Sequence, residues 1–415
     1  MRFSTLEQWL RWQEQLHPKE IELGLDRLRR VLDRMALTQP APTVITVGGT
    51  NGKGSTVALL EAILRAGGYR AGVYSSPHLR RYNERVRVDG TEVSDQALCQ
   101  AFQRVDEARQ ETSLTYFEFG TLAALEIFRQ AMLDVVILEV GLGGRLDAVN
   151  AIDADLAIVT SIDLDHMDWL GPDRDSIGRE KAGIMRSDRP GIFSGPHPPS
   201  GFLEHAPANP LYLLGRDFYW QRKAEKWQWQ GLAGRLEDLP LPALVGEHQL
   251  NNAAGVIQGL RILADRLPVQ HEHLLQGLQQ VSLPGRFQRL LGPVERIFDV
   301  AHNPAAAQAL AANLNTCPVS GTRRIVLAML ADKDAAAFVK PLLAHCDQWY
   351  LAGLTGTRGR SAEELAAAIG VLPGQVLSTT VAQAYQQALA DSRPGDRILV
   401  TGSFHTVAEA LAVAL

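Results

Sequence analysis

Val47-Gly48-Gly49-Thr50-Asn51-Gly52-Lys53-Gly54-Ser55-Thr56 follows a short β-branched run over residues 43–47 and opens a helical pattern over 55–66. A glycine-rich turn between strand and helix aims backbone N–H groups and a helix N-terminus at an anion, and Lys53 adds a point charge there. The stretch departs from GxxxxGK[ST], because the first glycine falls too close to Gly52 and Gly54 separates Lys53 from Ser55. Glycines at such a turn can be merely steric, yet a lysine among them is hard to explain that way. Residues 49–56 therefore read as a phosphate loop, without the GxGxxG spacing of a dinucleotide site.

Outward from the loop, strand and helix patterns alternate, as in a mostly parallel sheet covered on both faces. Strands are expected over 69–74, 134–140 and 155–160, the second a buried run of Val135, Val136, Ile137 and Leu138. Helices are expected over 95–110 and 117–131. At the N-terminus, Ser4 with Glu7 reads as a capping box before the helical spacing of Leu6, Trp9, Leu10, Gln13 and Leu16, so mature structure is expected there and no signal peptide. Between Pro190 and Pro242 the pattern weakens into turns, except that Phe218 with Trp220 and Trp227 with Trp229 alternate like two arms of a hairpin. Beyond Leu283-Pro284-Gly285 a second alternation begins, with strands expected over 296–300, 324–330, 348–352 and 397–401. The fold class is α/β: a phosphate-loop ATPase domain over residues 1–285 and a smaller Rossmann-like domain over 286–415.

The composition excludes several classes. The 46% hydrophobic and 21% charged residues fit neither disorder nor collagen. A net charge of −5 without a basic tail argues against a nucleic-acid partner, and leaves the aromatic-basic hairpin without the positive field a stacking platform needs. No apolar run reaches the length of a membrane span. Cys99, Cys317 and Cys346 stand far apart, which suits a reducing cytoplasm and neither a disulfide framework nor a cysteine zinc site.

Further residues carry chemistry in context. Glu139 ends an apolar strand, where open α/β sheets place ligand-handling groups, and is either a hard-cation ligand or a solvated carboxylate. His166 lies in an acidic run with Asp163, Asp165 and Asp168, which can equally be a solvated turn. Lys181 can be an ordinary exposed lysine at a helix end, Arg286 a plain surface arginine, and His302 a helix-start residue before Asn303 and Pro304.

The ordered motifs are more specific than any of these alone. The loop Gly49-Thr-Asn-Gly-Lys-Gly-Ser55 resembles that of the Mur ligase superfamily, and its glycine before the serine is specifically like folylpolyglutamate synthases. The resemblance continues through Ser75-Ser76-Pro77-His78-Leu79, Asn83-Glu84-Arg85-Val86, Leu138-Glu139-Val140-Gly141-Leu142-Gly143-Gly144-Arg145-Leu146-Asp147, Asp163-Leu164-Asp165-His166, Lys181-Ala182-Gly183-Ile184, His248-Gln249-Leu250-Asn251-Asn252 and Asp299-Val300-Ala301-His302-Asn303-Pro304. Val149 stands where that family is expected to carry Thr.

The resemblance implies an ATP-dependent ligase that joins L-glutamate to dihydropteroate and to reduced folates. It implies two Mg²⁺ ions, Ser76 and Glu139 on one and Glu139 and His166 on the other, with Lys53, His166 and Lys181 as catalytic residues and Lys181 open to carbamylation. Asn251 is then expected on the adenine side, Arg286 at phosphate, and Asp299 with His302 near ribose or phosphate. Arg80, Arg81, Phe117, Thr121, Arg145 and Asp147 are expected at the folate substrate. A monomer is expected. A Mur-type cell-wall ligase would need a separate N-terminal nucleotide-sugar domain, for which the stretch before Val47 leaves no room. A noncatalytic nucleotide switch would need the loop without Glu139, His166 and Lys181.

Overall fold

The computed structural model describes residues 2–415 and divides into two compact units, one built from residues up to Ala243 and Gln249–Val281, the other from Leu244–His248 and Ser282–Leu415. In the first, eight strands form one sheet in the spatial order Thr91–Glu92, Val86–Val88, Ala71–Tyr74, Val135–Glu139, Thr43–Gly48, Leu156–Val159, Gly191–Phe193, Leu211–Leu213. The outer pairings at Val86–Val88 are antiparallel and the remaining ones parallel. Every residue of the two central strands, Thr43–Gly48 and Val135–Glu139, is buried, which is why their sequences run apolar and β-branched instead of alternating.

Helix Lys53–Ala66 buries Val57, Leu59, Leu60, Ile63 and Leu64. Helix Tyr116–Ala131 starts on a complete capping box, Thr115 Oγ1 accepting from Glu118 N while the Glu118 carboxylate accepts from Thr115 N at 2.8 Å. At the N-terminus the box lies one residue later than expected. Thr5 caps helix Leu6–Leu16 and Gln8 reaches back to Thr5 N, because T-x-x-Q overlaps S-x-x-E by one position and both fulfil the same pattern.

The strands Gly191–Phe193 and Leu211–Leu213 had no sequence signal; three residues are too few to show a period. The aromatic hairpin forms, Tyr219–Lys223 against Lys226–Gly231 with Trp220 opposite Trp229, and a third strand, Gly234–Pro240, completes a small antiparallel sheet. Trp227 and Trp229 are fully buried in it.

The second unit holds a six-stranded sheet in the order Gln288–Leu290, Glu295–Asp299, Arg397–Thr401, Arg323–Leu327, Gln348–Ala352, Val376–Ser378, parallel except for the first pair. Its core gathers Ile297, Leu310, Ile325, Phe338, Leu342, Trp349 and Leu399. Among the described residues no helix is long and apolar enough to cross a membrane.

Candidate active site

The phosphate loop is held from below by the segment after strand Leu156–Val159. Thr160 Oγ1 donates to Asn51 O at 2.7 Å, Thr50 N donates to Ser161 O at 2.6 Å, and Asn51 N donates to Ser161 Oγ at 3.2 Å. Gly49 has φ +140°, and a Cβ there would stand 1.8 Å from Thr160 Oγ1, so only glycine fits this approach. Gly52, φ +94°, starts helix Lys53–Ala66 with Asn252 pressed against it, and Ser55 Oγ accepts from Gln249 Nε2 at 3.2 Å. Thr56 is fully buried and its N donates to Gly52 O. Gly54 and Lys53 complete the helix's first turn.

Two lysine amines meet at one carbonyl. Lys53 Nζ donates to Gly49 O at 3.1 Å and to Thr50 O at 3.2 Å, while Lys181 Nζ, from helix Arg174–Ala182, donates to the same Gly49 O at 3.0 Å. Lys181 is 4% exposed, so it is not a surface lysine. Burial, and then the Lys53 ammonium beside it, push its amine down to about 7, so a neutral population exists at physiological pH.

Strand register gathers the candidate cation ligands. Val47 is directly opposite Glu139, Tyr74 pairs with Leu138, and Gly48 pairs with Val159. Ser76, Glu139, the phosphate loop and the 160–166 segment therefore leave the same edge of four adjacent parallel strands spaced about 4.8 Å apart. Glu139 is 4% exposed. His166 adopts φ +53°, caps the short helix Met167–Leu170, and donates from its backbone N to Asp165 Oδ1 at 2.9 Å. Among the described residues no group of three or more His, Cys, Asp or Glu side chains converges on one point. A buried carboxylate at a strand end beside a phosphate loop still fits Mg²⁺, which keeps waters and substrate phosphates in its shell instead of an all-protein cage.

Beside this edge lies an aromatic region. The Phe117 ring is 5.8 Å from Tyr74, and a Cβ on Gly141 would stand 2.7 Å from it, so Phe117 rests on the loop after Glu139. Asp147 closes that loop, its Oδ2 accepting from Leu142 N at 2.8 Å and its Oδ1 from Val149 N at 3.1 Å. Burial raises its carboxyl to about 6 against those backbone donors. Thr121 is buried, and its hydroxyl lies 2.9 Å from Phe117 O of its own helix and 3.4 Å from the Tyr74 hydroxyl. Arg145 is exposed and pairs with Glu180 at 2.9 Å. Arg80 and Arg81 are also exposed; their backbone N–H groups hold Glu84 Oε1, and Arg81 pairs with Asp95.

The cation that does reach the aromatic region is Arg85, which sequence reasoning passed over. Its guanidinium lies 5.4 Å from the Tyr82 ring and 5.7 Å from the Tyr116 ring, with Nε donating to His78 Nδ1 at 2.8 Å. Glu118 pairs with Arg27 at 2.8 Å. The three-residue spacing of Tyr82 and Arg85 was the available signal for Arg85.

Helix His248–Ile262 presents Asn251, whose Oδ1 accepts from Trp220 Nε1 at 2.8 Å. Within the second unit, Arg286 lies 5.5 Å over the Phe404 ring and His302 6.1 Å from it. Asp299 there accepts from Phe287 N and Ala301 N, and burial raises its carboxyl. These three residues thus share one corner.

Residues 47–193 match the Mur ligase middle domain and residues 285–404 the Mur ligase glutamate ligase domain. The chain is 49% identical over 412 residues to the dihydrofolate synthase/folylpolyglutamate synthase of Escherichia coli strain K12, covering 99% of this chain and 96% of that one. It superimposes on E. coli FolC in complex with DHPP and ADP with a TM-score of 0.94 at 48% identity, covering 99% and 98% of the two chains. A bifunctional folylpolyglutamate synthase/dihydrofolate synthase with Mn, AMPPNP and L-glutamate bound gives a TM-score of 0.91 at 46% identity over 99% and 98%. With its phosphate loop, buried strand-end carboxylate and buried lysine in one edge of a parallel sheet, the chain belongs to the dihydrofolate synthase/folylpolyglutamate synthase family of Mur ligases.

Proposed function

We propose that the chain forms an amide between L-glutamate and the carboxyl of dihydropteroate, and extends reduced folates by further glutamates, at one site and through an acyl phosphate. A carboxylate does not react with an amine at neutral pH, because oxide is a poor leaving group. Attack of a carboxylate oxygen on the γ-phosphorus of ATP expels ADP and installs phosphate as the leaving group; the glutamate amine then attacks the acyl carbon, and the tetrahedral intermediate releases phosphate as the amide forms.

The loop N–H groups and Lys53 hold the phosphates and stabilise charge that builds during in-line transfer. Ser76 and Glu139 would hold one Mg²⁺, and Glu139 with His166 a second; the charge such ions supply would neutralise phosphate oxygens. Lys181 is the residue for carbamylation, since its neutral amine can add carbon dioxide and become an anion beside the cations. Asp147 serves the folate side by ordering the loop after Glu139 through its bonds to Leu142 N and Val149 N. Phe117 supplies an aromatic wall, and Arg80 and Arg81, with Arg85 as a further cation beside the aromatic rings, serve the substrate carboxylate. Asn251, Arg286, Asp299 and His302 serve the nucleotide.

The observation that carries this reading is the register of Val47 with Glu139, which sets a buried carboxylate beside a loop where two lysines share one carbonyl. A phosphate-binding switch has no use for that combination. Dihydropteroate labelled with heavy oxygen in its carboxyl tests it: one label is expected in the released phosphate, and unlabelled phosphate refutes the acyl phosphate. We infer a cytoplasmic location, which three free cysteines support, and a monomer. Light scattering at assay concentration checks the monomer.

A further inference from the structure

Helix His248–Ile262 holds the first turn of helix Lys53–Ala66 through a pair of buried amides. Gln249 Nε2 donates to Ser55 Oγ at 3.2 Å, and Gln249 Oε1 accepts from Asn252 Nδ2 at 2.9 Å. Ser55 and Gln249 are 3% exposed and Asn252 5%, so these bonds form away from solvent. Asn252 in turn lies against Gly52, its Oδ1 2.7 Å from where a Cβ would stand. Because the Asn252 amide occupies the Gln249 oxygen, the NH₂ end of Gln249 is the one turned to Ser55, and the serine oxygen must accept.

A hydroxyl that accepts still has its own proton to place. Inside a helix a serine commonly donates it to the carbonyl four residues back. For Ser55 that carbonyl is Asn51 O, and it is already taken twice, by Thr160 Oγ1 at 2.7 Å and by Ser161 Oγ at 3.1 Å. A carbonyl oxygen has two lone pairs, so this outlet is filled. Among the described residues the Ser55 hydroxyl donates to none. A buried O–H without an acceptor is costly unless a ligand brings one, and the ligand of a phosphate loop brings phosphate oxygens. We propose that Gln249 is a positioning residue for nucleotide binding: it holds the Ser55 oxygen and so leaves the hydroxyl proton to a phosphate oxygen of ATP. Asn252 fixes which end of the Gln249 amide meets the serine. This rests on residues 49–56 holding the nucleotide phosphates.

Gln249→Met keeps length and apolar volume but removes the donor, Ser55→Ala removes the hydroxyl, and the double variant removes both. Dissociation constants for ATP are read by titration calorimetry on the full chain without folate or glutamate, beside Lys53→Ala and with thermal melts in parallel. Ser55→Ala is expected to weaken ATP about tenfold, the worth of a hydrogen bond to a charged oxygen, and Gln249→Met about fivefold. The double variant should bind ATP no more weakly than Ser55→Ala, since Gln249 acts only through the hydroxyl. Independent contributions would instead multiply to about fiftyfold and overturn the proposal. A Gln249→Met chain that melts lower yet binds ATP like wild type would overturn it too, leaving the contact a structural tie. If Lys53→Ala weakens ATP and Ser55→Ala does not, the loop stands and the positioning role falls. If neither weakens it, the phosphate-loop reading fails with it.

Discussion

Replacing Lys181 by methionine should make the protein more stable and catalytically dead, with a stability gain that depends on pH. The Lys181 amine is buried, and desolvation together with Lys53 brings it from the ordinary 10.5 down to about 7. Below pH 7 the amine is charged in both folded and unfolded chains, so the fold bears the whole cost of the buried ammonium, on the order of 5 kcal/mol. Above pH 7 the folded chain binds fewer protons than the unfolded one, so wild-type stability climbs by about 1.4 kcal/mol per pH unit until the unfolded amine also titrates. Methionine fills a similar volume without charge and forfeits the bond to Gly49 O, worth about 1 kcal/mol. The variant should thus gain up to about 4 kcal/mol at pH 6.5, or about 8 °C at about 2 °C per kcal/mol for a unit of this size, and the gain should shrink steadily from pH 7 to 9. Scanning calorimetry in bicarbonate-free buffer reads both. A variant no more stable than wild type at pH 6.5, with a flat difference up to pH 9, would refute the buried-amine argument and with it the physical basis for carbamylation.

Further outcomes are expected elsewhere in the site. Lys53→Ala should retain its melt but lose on the order of a hundred- to thousandfold in kcat, as when a donor to a developing oxyanion is removed; phosphate release measures it, and near-wild-type turnover counts against the loop assignment. Glu139→Gln keeps size but drops a charge, so the Mg²⁺ needed for half-maximal rate should rise about tenfold, and an unchanged titration excludes it as a ligand. Asp147 titrates at about 6, so KM for dihydropteroate should rise as pH falls through 6 and the carboxylate is lost. Asp147→Asn should show a raised KM that no longer varies over that range, and a pH-dependent KM persisting in the variant would place the titrating group elsewhere.

The long, strongly patterned elements were legible in the sequence because burial on both faces left continuous apolar runs: Val135–Glu139, Gln348–Ala352 and Arg397–Thr401 all stand within a residue of where the pattern put them. Short strands such as Gly191–Phe193 were not, since the sheet recruits them by pairing alone. Glycines and the lysine identified the phosphate loop, but Thr160 and Ser161, which hold it, carry no local signal and act across more than a hundred residues of chain. Lys181 could be named only from its motif; its burial and its shared carbonyl with Lys53 are tertiary facts. For the arginines, nearness to a motif did not tell exposed side chains from packed ones. Arg80 and Arg81 are exposed, Arg81 pairing with Asp95, whereas Arg85, a turn later, lies over the Tyr82 and Tyr116 rings.

Glutamate-dependent ADP release, measured on one preparation with ATP and Mg²⁺ and with dihydropteroate or tetrahydrofolate added in turn, tests the proposed ligation most directly. Release with each acceptor, abolished in both cases by Lys53→Ala, is the expected result, because both present a carboxylate to the same γ-phosphate. Release with tetrahydrofolate alone would contradict the joining of glutamate to dihydropteroate, and release with neither, in protein that binds ATP, would contradict the substrate class altogether.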